Sequence, residues 1–210
     1  MKHLLENWRK HIIIKEEKGK HQIYCDMDGV LVDFVKGAVE QINKDIKNES
    51  LTGDDIQALR DKLKEIGKKK IEEKDLHINS SMALDEARRY MYRRLAGDKG
   101  WWAELPWMPD GKRLWNFIKK YDPLILTTPM KNKASEEGKL IWVEYNLGIA
   151  RSKVHFSHNK YEYAKDGDNP NILIDDFLKK NVVPYQEAGG IGIHHTSADS
   201  SIEELKKLGF

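Results

Sequence analysis

Apolar residues in this chain follow two rhythms. Short runs that end abruptly in polar residues occur at positions 21–25, 123–127, 154–156, 171–175 and 190–194. Runs of this length, bounded by turn-forming or charged residues, predict buried β-strands. Elsewhere the apolar positions recur three or four residues apart. Ile56, Leu59, Leu63 and Ile66 form such a stripe after the start signal Thr52-x-x-Asp55. Residues 82–95, preceded by Ser80 and Ser81 and closed by Gly97, predict another helix. So do residues 111–121, with Leu114, Phe117 and Ile118 on one face, and residues 135–146, stopped near Gly148. Ser200-x-x-Glu203 predicts the opening of a last helix. Within residues 1–20, Leu4, Leu5, Trp8 and Ile12 to Ile14 predict an amphipathic helix on the protein surface. Charged residues interrupt that segment, and it lacks the continuous apolar stretch and small-residue cleavage site of a signal peptide.

Strands alternating with helices predict an α/β fold: a three-layer, Rossmann-like core around a mainly parallel sheet. The highly charged helical stretch at 35–103 interrupts the alternation and reads as an inserted helical cap. The core then comprises residues 21–34 and 104–210. In sheets of this kind ligands bind beyond the carboxyl ends of the strands. The polar residues that close the strands are therefore the first candidates for chemistry.

Composition narrows the classes. The 210 residues carry 36 basic and 34 acidic side chains, a formal charge of +2. Nucleic-acid binders that work through bulk charge are more basic, with the charge clustered, so nucleic acid is not an expected partner. No apolar run approaches the roughly 20 residues needed to span a bilayer, so no membrane partner is expected either. A single cysteine excludes an internal disulfide framework and suits a reducing compartment, which makes the cytoplasm the expected location. A homodimer is compatible with this surface. Lys68-Lys69-Lys70 reads as a solvated turn.

Four strand ends make a coherent set. The first is Asp26-Met-Asp28-Gly29, the second Thr127-Thr128-Pro129, and the fourth Asp175-Asp176; the segment after the third strand carries Lys160. A phosphate monoester is a dianion and repels a carboxylate nucleophile unless a cation lies between them. Mg²⁺ favours oxygen ligands, commonly one or two carboxylates with waters and substrate phosphate. Asp26 and one of Asp175 and Asp176 can hold that ion from neighbouring strands. Lys160 supplies fixed positive charge, Thr127 a hydroxyl donor for a phosphoryl oxygen, and Gly29 a close approach of the backbone. Asp-x-Asp-Gly alone recurs by chance in roughly one chain of this length in twenty to thirty. A calcium loop beginning at Asp26 would need Gly at its sixth position and Glu at its twelfth, but Gly29 is fourth and Gly37 twelfth. The order of all the parts, rather than any one of them, points to Mg²⁺-dependent phosphoryl transfer.

That order resembles the haloacid dehalogenase-like phosphatase superfamily. The resemblance implies that Asp26 is the nucleophile and Asp28 the general acid and base, with the Asp28 main-chain carbonyl on Mg²⁺. It implies further that Thr127 and Lys160 bind the phosphoryl group and that Asp175 and Asp176 complete the metal site. Asp26-Met-Asp-Gly-Val-Leu-Val-Asp-Phe34, Thr127-Thr-Pro-Met-Lys131, Trp142-Val-Glu144 and Ile172-Leu-Ile-Asp-Asp176 look more narrowly like the 5′(3′)-deoxyribonucleotidase family. On that likeness Phe34, Trp101 and Trp102 face a nucleobase, while Thr128 and Lys131 join Gly29 among the substrate-binding residues. The chain departs from the family in its Trp-Trp pair, where phenylalanines are common, and in extra residues between Lys160 and Asp175. The implied function is hydrolysis of nucleoside 5′-monophosphates through an aspartyl-phosphate. Another small ester, such as a sugar phosphate, is the alternative, and a non-catalytic scaffold on the same fold is the rival of a different class.

Three other residues invite chemical readings. Cys25 adjoins Asp26, but on a strand its side chain points away from its neighbour's. His194 and His195 are adjacent on a strand, face opposite sides and are expected to be structural. Trp107, Trp115 and Trp142 read as core.

Overall fold

The structure is a computed structural model and describes residues 21–76 and 83–210. The expected helix at 1–20, and the start of the one at 82–95, lie outside the described residues. In chain order the elements are β1 (Ile23–Cys25), α1 (Phe34–Lys47), α2 (Asp54–Glu65), α3 (Glu73–Leu76) and α4 (Asp85–Tyr90), which runs on as a π-turn, Met91–Leu95. Then come α5 (Lys99–Ala103), α6 (Gly111–Ile118), β2 (Leu124–Thr127), α7 (Lys133–Leu147) and β3 (Val154–Phe156). A 3₁₀ turn at Lys160–Tyr163 leads to a hairpin, β4 (Lys165–Asp166) and β5 (Asn169–Pro170). The chain ends with β6 (Ile172–Asp175), a π-turn at Leu178–Val182, α8 (Val183–Glu187), β7 (Ile191–His194) and α9 (Ala198–Lys207).

The chain divides into two compact units. Unit 1 contains residues 21–32, 107–128 and 149–210 and holds a five-stranded sheet in the order β3-β2-β1-β6-β7, every neighbouring pair parallel. This is the expected α/β architecture. Ile23, Tyr24, Cys25 and all four residues of β6 are buried, so the central strands show no polar alternation. On one face Tyr24, Leu126, Leu173, Ala164 and Tyr185 pack together, and the Tyr185 hydroxyl donates to the Tyr163 carbonyl at 2.9 Å. Helices α6 and α9 pack on each other, with Leu114, Ile118 and Leu205 fully buried.

The chain leaves β1 in one direction towards β2 and β3 and returns on its other side as β6 and β7. The order of strands therefore reverses between β1 and β6, where open α/β sheets form their ligand sites. The Asp26 N–H donates to the Ile174 carbonyl at 2.9 Å and extends this ladder to the strand ends. Beyond Asp26 the chain curls tightly: the Met27 carbonyl accepts from the N–H groups of Val30, Leu31 and Val32.

Unit 2 contains residues 33–106 and 129–148. It is helical, and several of its helices have a local cause. The Asp33 carboxylate caps α1 by accepting from the Lys36 N–H at 3.0 Å. Asp98 and Asn132 cap α5 and α7 in the same manner. Arg60 lashes down the carboxyl end of α1, donating to the carbonyls of Asp45, Ile46, Asn48 and Leu51. Helix α2 begins after Gly53 with no side-chain cap, although the Thr52 signal predicted one. Gly53 has φ +139°, which turns the chain away from the geometry a threonine cap needs, and Asp54 and Asp55 offset the loss by facing the helix dipole.

Candidate active site

Three segments of unit 1 bring predicted residues together. Strands β1 and β6 are hydrogen-bonded neighbours and deliver Asp26 and Asp175 side by side. The 3₁₀ turn after β3 places Lys160, only 2% exposed, beneath them. Its Nζ lies 2.8 Å from Asp26 Oδ1 and 2.6 Å from Asp175 Oδ2. Burial works to lower the Lys160 pKa, but the Asp26 and Asp175 charges and their hydrogen bonds outweigh it and hold the ammonium above its ordinary value. Lys160 is thus a permanent cation.

One lysine does not balance the charge around it. Asp26, Asp175 and Asp176 each offer an oxygen within 4.8 Å of the others. Desolvation, then the charges of Asp26 and Asp175, push the Asp176 carboxyl up to about 7. Asp175 is raised as well, chiefly by burial and then by Asp26, with Lys160 opposing. Three carboxylates against one ammonium leave an excess of negative charge in a partly dry site, which is what a divalent cation relieves. The donor set is oxygen alone, with the only thiol, Cys25, fully buried on the strand. Burial and the adjacent Asp26 charge push that thiol well up, so it stays protonated. Oxygen donors of this kind suit Mg²⁺ and not a soft metal.

Asp175 and Asp176 are differently engaged. Asp175 Oδ1 accepts from the Phe177 N–H at 2.8 Å and from Asn181 Nδ2 at 2.9 Å. Its Oδ2 accepts from Lys160 at 2.6 Å and from Asn181 at 3.0 Å. Asp176 instead stands beside Gly29: a Cβ on Gly29 would lie 2.3 Å from Asp176 Oδ2. Gly29 also has φ +77°, a conformation that side chains resist. The sequence called for a close backbone approach at Gly29, and the group that approaches is the Asp176 carboxylate.

The remaining predicted residues fall into two sets. Asp28 lies on the curl after β1 with its Oδ1 buried, and Thr127 closes β2 fully buried. Thr128 spends its hydroxyl on the Ser157 carbonyl at 2.9 Å, tying the end of β2 to the segment after β3. Phe34, Trp101, Trp102 and Lys131 belong to unit 2. There Phe34 stacks on Trp102 with centroids 5.4 Å apart, and Trp101 meets both rings edge-on. Trp102 is 1% exposed, and Lys139 Nζ lies 5.5 Å from its ring centroid. Of the three rings Phe34 is the most accessible.

One residue near the site, Asn181, escaped the sequence reading. Asn181 reaches Asp175 from the π-turn, six positions along the chain, where an extended strand would hold the two far apart and an α-helix would turn them to different faces. His194 sets Nε2 3.1 Å from the Asp176 carbonyl, while His195 packs inward against the Ser201 hydroxyl at 2.8 Å. The two histidines face opposite ways, as expected of strand neighbours.

Comparison with known proteins places the fold. No family model matches the chain, and no curated protein does. Among solved structures, a hydrolase from Streptococcus pneumoniae TIGR4 superposes with a TM-score of 0.52 at 14% identity, covering 90% of this chain and 99% of that one. A haloacid dehalogenase-like family hydrolase from Xanthomonas campestris superposes with a TM-score of 0.50 at 13% identity, covering 92% and 93%. The fold is that of haloacid dehalogenase-like hydrolases, and at these identities the likeness concerns fold alone.

Proposed function

We propose that the protein is a Mg²⁺-dependent phosphatase that hydrolyses a small phosphate monoester through an aspartyl-phosphate on Asp26. The observation that carries this reading is the buried Lys160 ammonium held between Asp26 and Asp175, with Asp176 adding a third carboxylate at the point where the strand order reverses. Asp26 attacks phosphorus, and the bond to the leaving oxygen breaks as Asp28 gives that oxygen its proton. Asp28, now ionised, takes a proton from water; the water attacks phosphorus, the Asp26–phosphorus bond breaks, and phosphate leaves. Lys160 keeps Asp26 in line and offsets charge on the phosphoryl oxygens, to one of which Thr127 donates. When bound, Mg²⁺ supplies the charge neutralisation that lets a carboxylate approach a dianion, and Asp26, Asp176 and the Asp28 carbonyl would hold it. Phosphate-monoester hydrolysis is among the slowest uncatalysed reactions, so charge placed in advance must supply most of the acceleration.

The finer reading is a nucleoside 5′-monophosphate, with deoxyribonucleotides favoured. Its support is the run of motifs shared with deoxyribonucleotidases and the aromatic group of unit 2, where Phe34 keeps an accessible ring and Lys131 is exposed. The burial of Trp102 favours a second reading, an ester without a base, such as a sugar phosphate. Among the described residues no helix is long and apolar enough to cross a membrane.

The test is release of p-nitrophenol from p-nitrophenyl phosphate with and without Mg²⁺, followed by a panel of nucleoside and sugar monophosphates. Activity is expected to require Mg²⁺, to vanish in Asp26→Asn and to be highest on 5′-deoxyribonucleotides. Equal activity in Asp26→Asn would overturn the mechanism. Preference for sugar phosphates would select the second reading, and inactivity on every ester would support a scaffold.

A further inference from the structure

We infer that Asn181 is a positioning residue, whose amide fixes the Asp175 carboxylate so that Asp175 holds Lys160 against Asp26. A carboxylate has about four lone-pair directions. Three donors serve Asp175: the Phe177 N–H on Oδ1, Lys160 on Oδ2, and the single Asn181 Nδ2, which spans both oxygens at 2.9 and 3.0 Å. Asp175 is fully buried among these donors, whereas Asp176 has the more exposed place. The local winding explains the reach. The turn at Leu178–Val182 is π-helical, with the Phe177 carbonyl accepting from Asn181 at 2.9 Å and from Val182 at 3.3 Å. Such single-turn bulges are rare and gather at functional sites. This one brings a buried amide, 8% exposed, back beneath the end of β6. An amide donates here without adding charge, so it orients Asp175 without competing with Lys160 as a cation. Asn181 Nδ2 donates to Asp175 and to neither Asp26 nor Lys160, so it acts through Asp175, as the supporting partners of charged site residues generally do.

The inference rests on the reading of Asp26 and Lys160 as the phosphoryl-transfer pair, and its test has a readout that needs no activity. In ¹⁵N-labelled full-length protein the Lys160 ammonium, buried and doubly ion-paired, is expected to give a slowly exchanging Nζ–H signal, assigned by its loss in Lys160→Arg. In Asn181→Ala that signal is expected to broaden away. The kcat on p-nitrophenyl phosphate is expected to fall about 10- to 100-fold, with the Mg²⁺ concentration for half-activation within about threefold of wild type. Asn181→Leu, nearly the same size and lacking the donor, should behave alike and serves where the alanine variant fails to fold. An unchanged ammonium signal in a folded Asn181 variant would overturn the inference, whatever the activity. So would a rise of more than about tenfold in the Mg²⁺ requirement with the signal intact, because Asn181 would then act on the metal site. If wild type hydrolyses no ester yet the signal still depends on Asn181, the positioning role stands and the phosphatase reading fails.

Discussion

Asp175 and Asp176 are neighbours in sequence with different surroundings, and the difference sets what each can do. Asp175 accepts from three donors, while Asp176 is crowded by like charge and carries a carboxyl pushed up to about 7. A carboxyl whose folded pKa exceeds its ordinary value stabilises the fold while protonated, and that stability is lost as pH rises through the folded pKa. Without metal, the melting temperature is therefore expected to decline between about pH 4 and pH 7, and saturating Mg²⁺ to restore it at pH 7.5. Asp176→Asn should flatten both effects in a calorimetric melt. Because the cation competes with that proton, Mg²⁺ affinity should weaken as pH falls below about 7. Gly29 belongs to the same scale. A methyl group there would meet the Asp176 carboxylate at 2.3 Å in a backbone with φ +77°. Gly29→Ala is expected to cost about 1–3 kcal/mol in urea unfolding and to weaken Mg²⁺ binding measured by calorimetry. At this scale the meeting of Asp26, Lys160, Asp175 and Asp176 was legible, because three of them close neighbouring strands. Asn181 was hidden because a π-turn leaves no periodic mark, and the split between Asp175 and Asp176 depends on donors that spacing does not reveal.

Elements that rest on local rules were legible, and those that rest on tertiary contact were not. The strand expected at 154–156 is Val154–Phe156, and the helix expected at 135–146 is Lys133–Leu147 with Gly148 beyond it at φ +67°. The last helix starts earlier than its Ser200 signal, because Ser197 caps it and the Ala198 N–H donates to Asp110. The hairpin β4–β5 went unread: each strand has two residues, one of them containing Pro170, too few for any period to register. In unit 2, α5 presents Trp101 and Trp102 to one aromatic group with Phe34, and Gly138 of α7 comes so close that a Cβ there would lie 2.3 Å from the Trp102 Cβ. Trp102→Ala should therefore destabilise the protein by about 3–5 kcal/mol, the range for emptying a large aromatic site, seen as an earlier urea midpoint. A loss below about 1 kcal/mol would mean that Trp102 is not the packing centre of this unit.

For the whole molecule, the reversal of strand order between β1 and β6 explains why dispersed motifs become one site. Residues 26, 127, 160 and 175 are far apart in sequence, yet a parallel sheet sends all its strand ends to one edge. The alternation of apolar runs was enough to predict that sheet, because buried parallel strands must be continuously apolar. The division into units was less legible: unit 2 draws on residues 129–148 as well as 33–106, and the packing of α7 on α5 leaves no sign in local pattern. The central claim is that Asp26 carries the phosphoryl group. It is tested most directly by mixing the protein with substrate and Mg²⁺, quenching with borohydride, and locating the reduced residue by peptide mass spectrometry. The mark is expected at Asp26, and it should be absent after chelation of Mg²⁺ or in Asp26→Asn. Steady hydrolysis by the wild type with Asp26 unmarked would contradict the account.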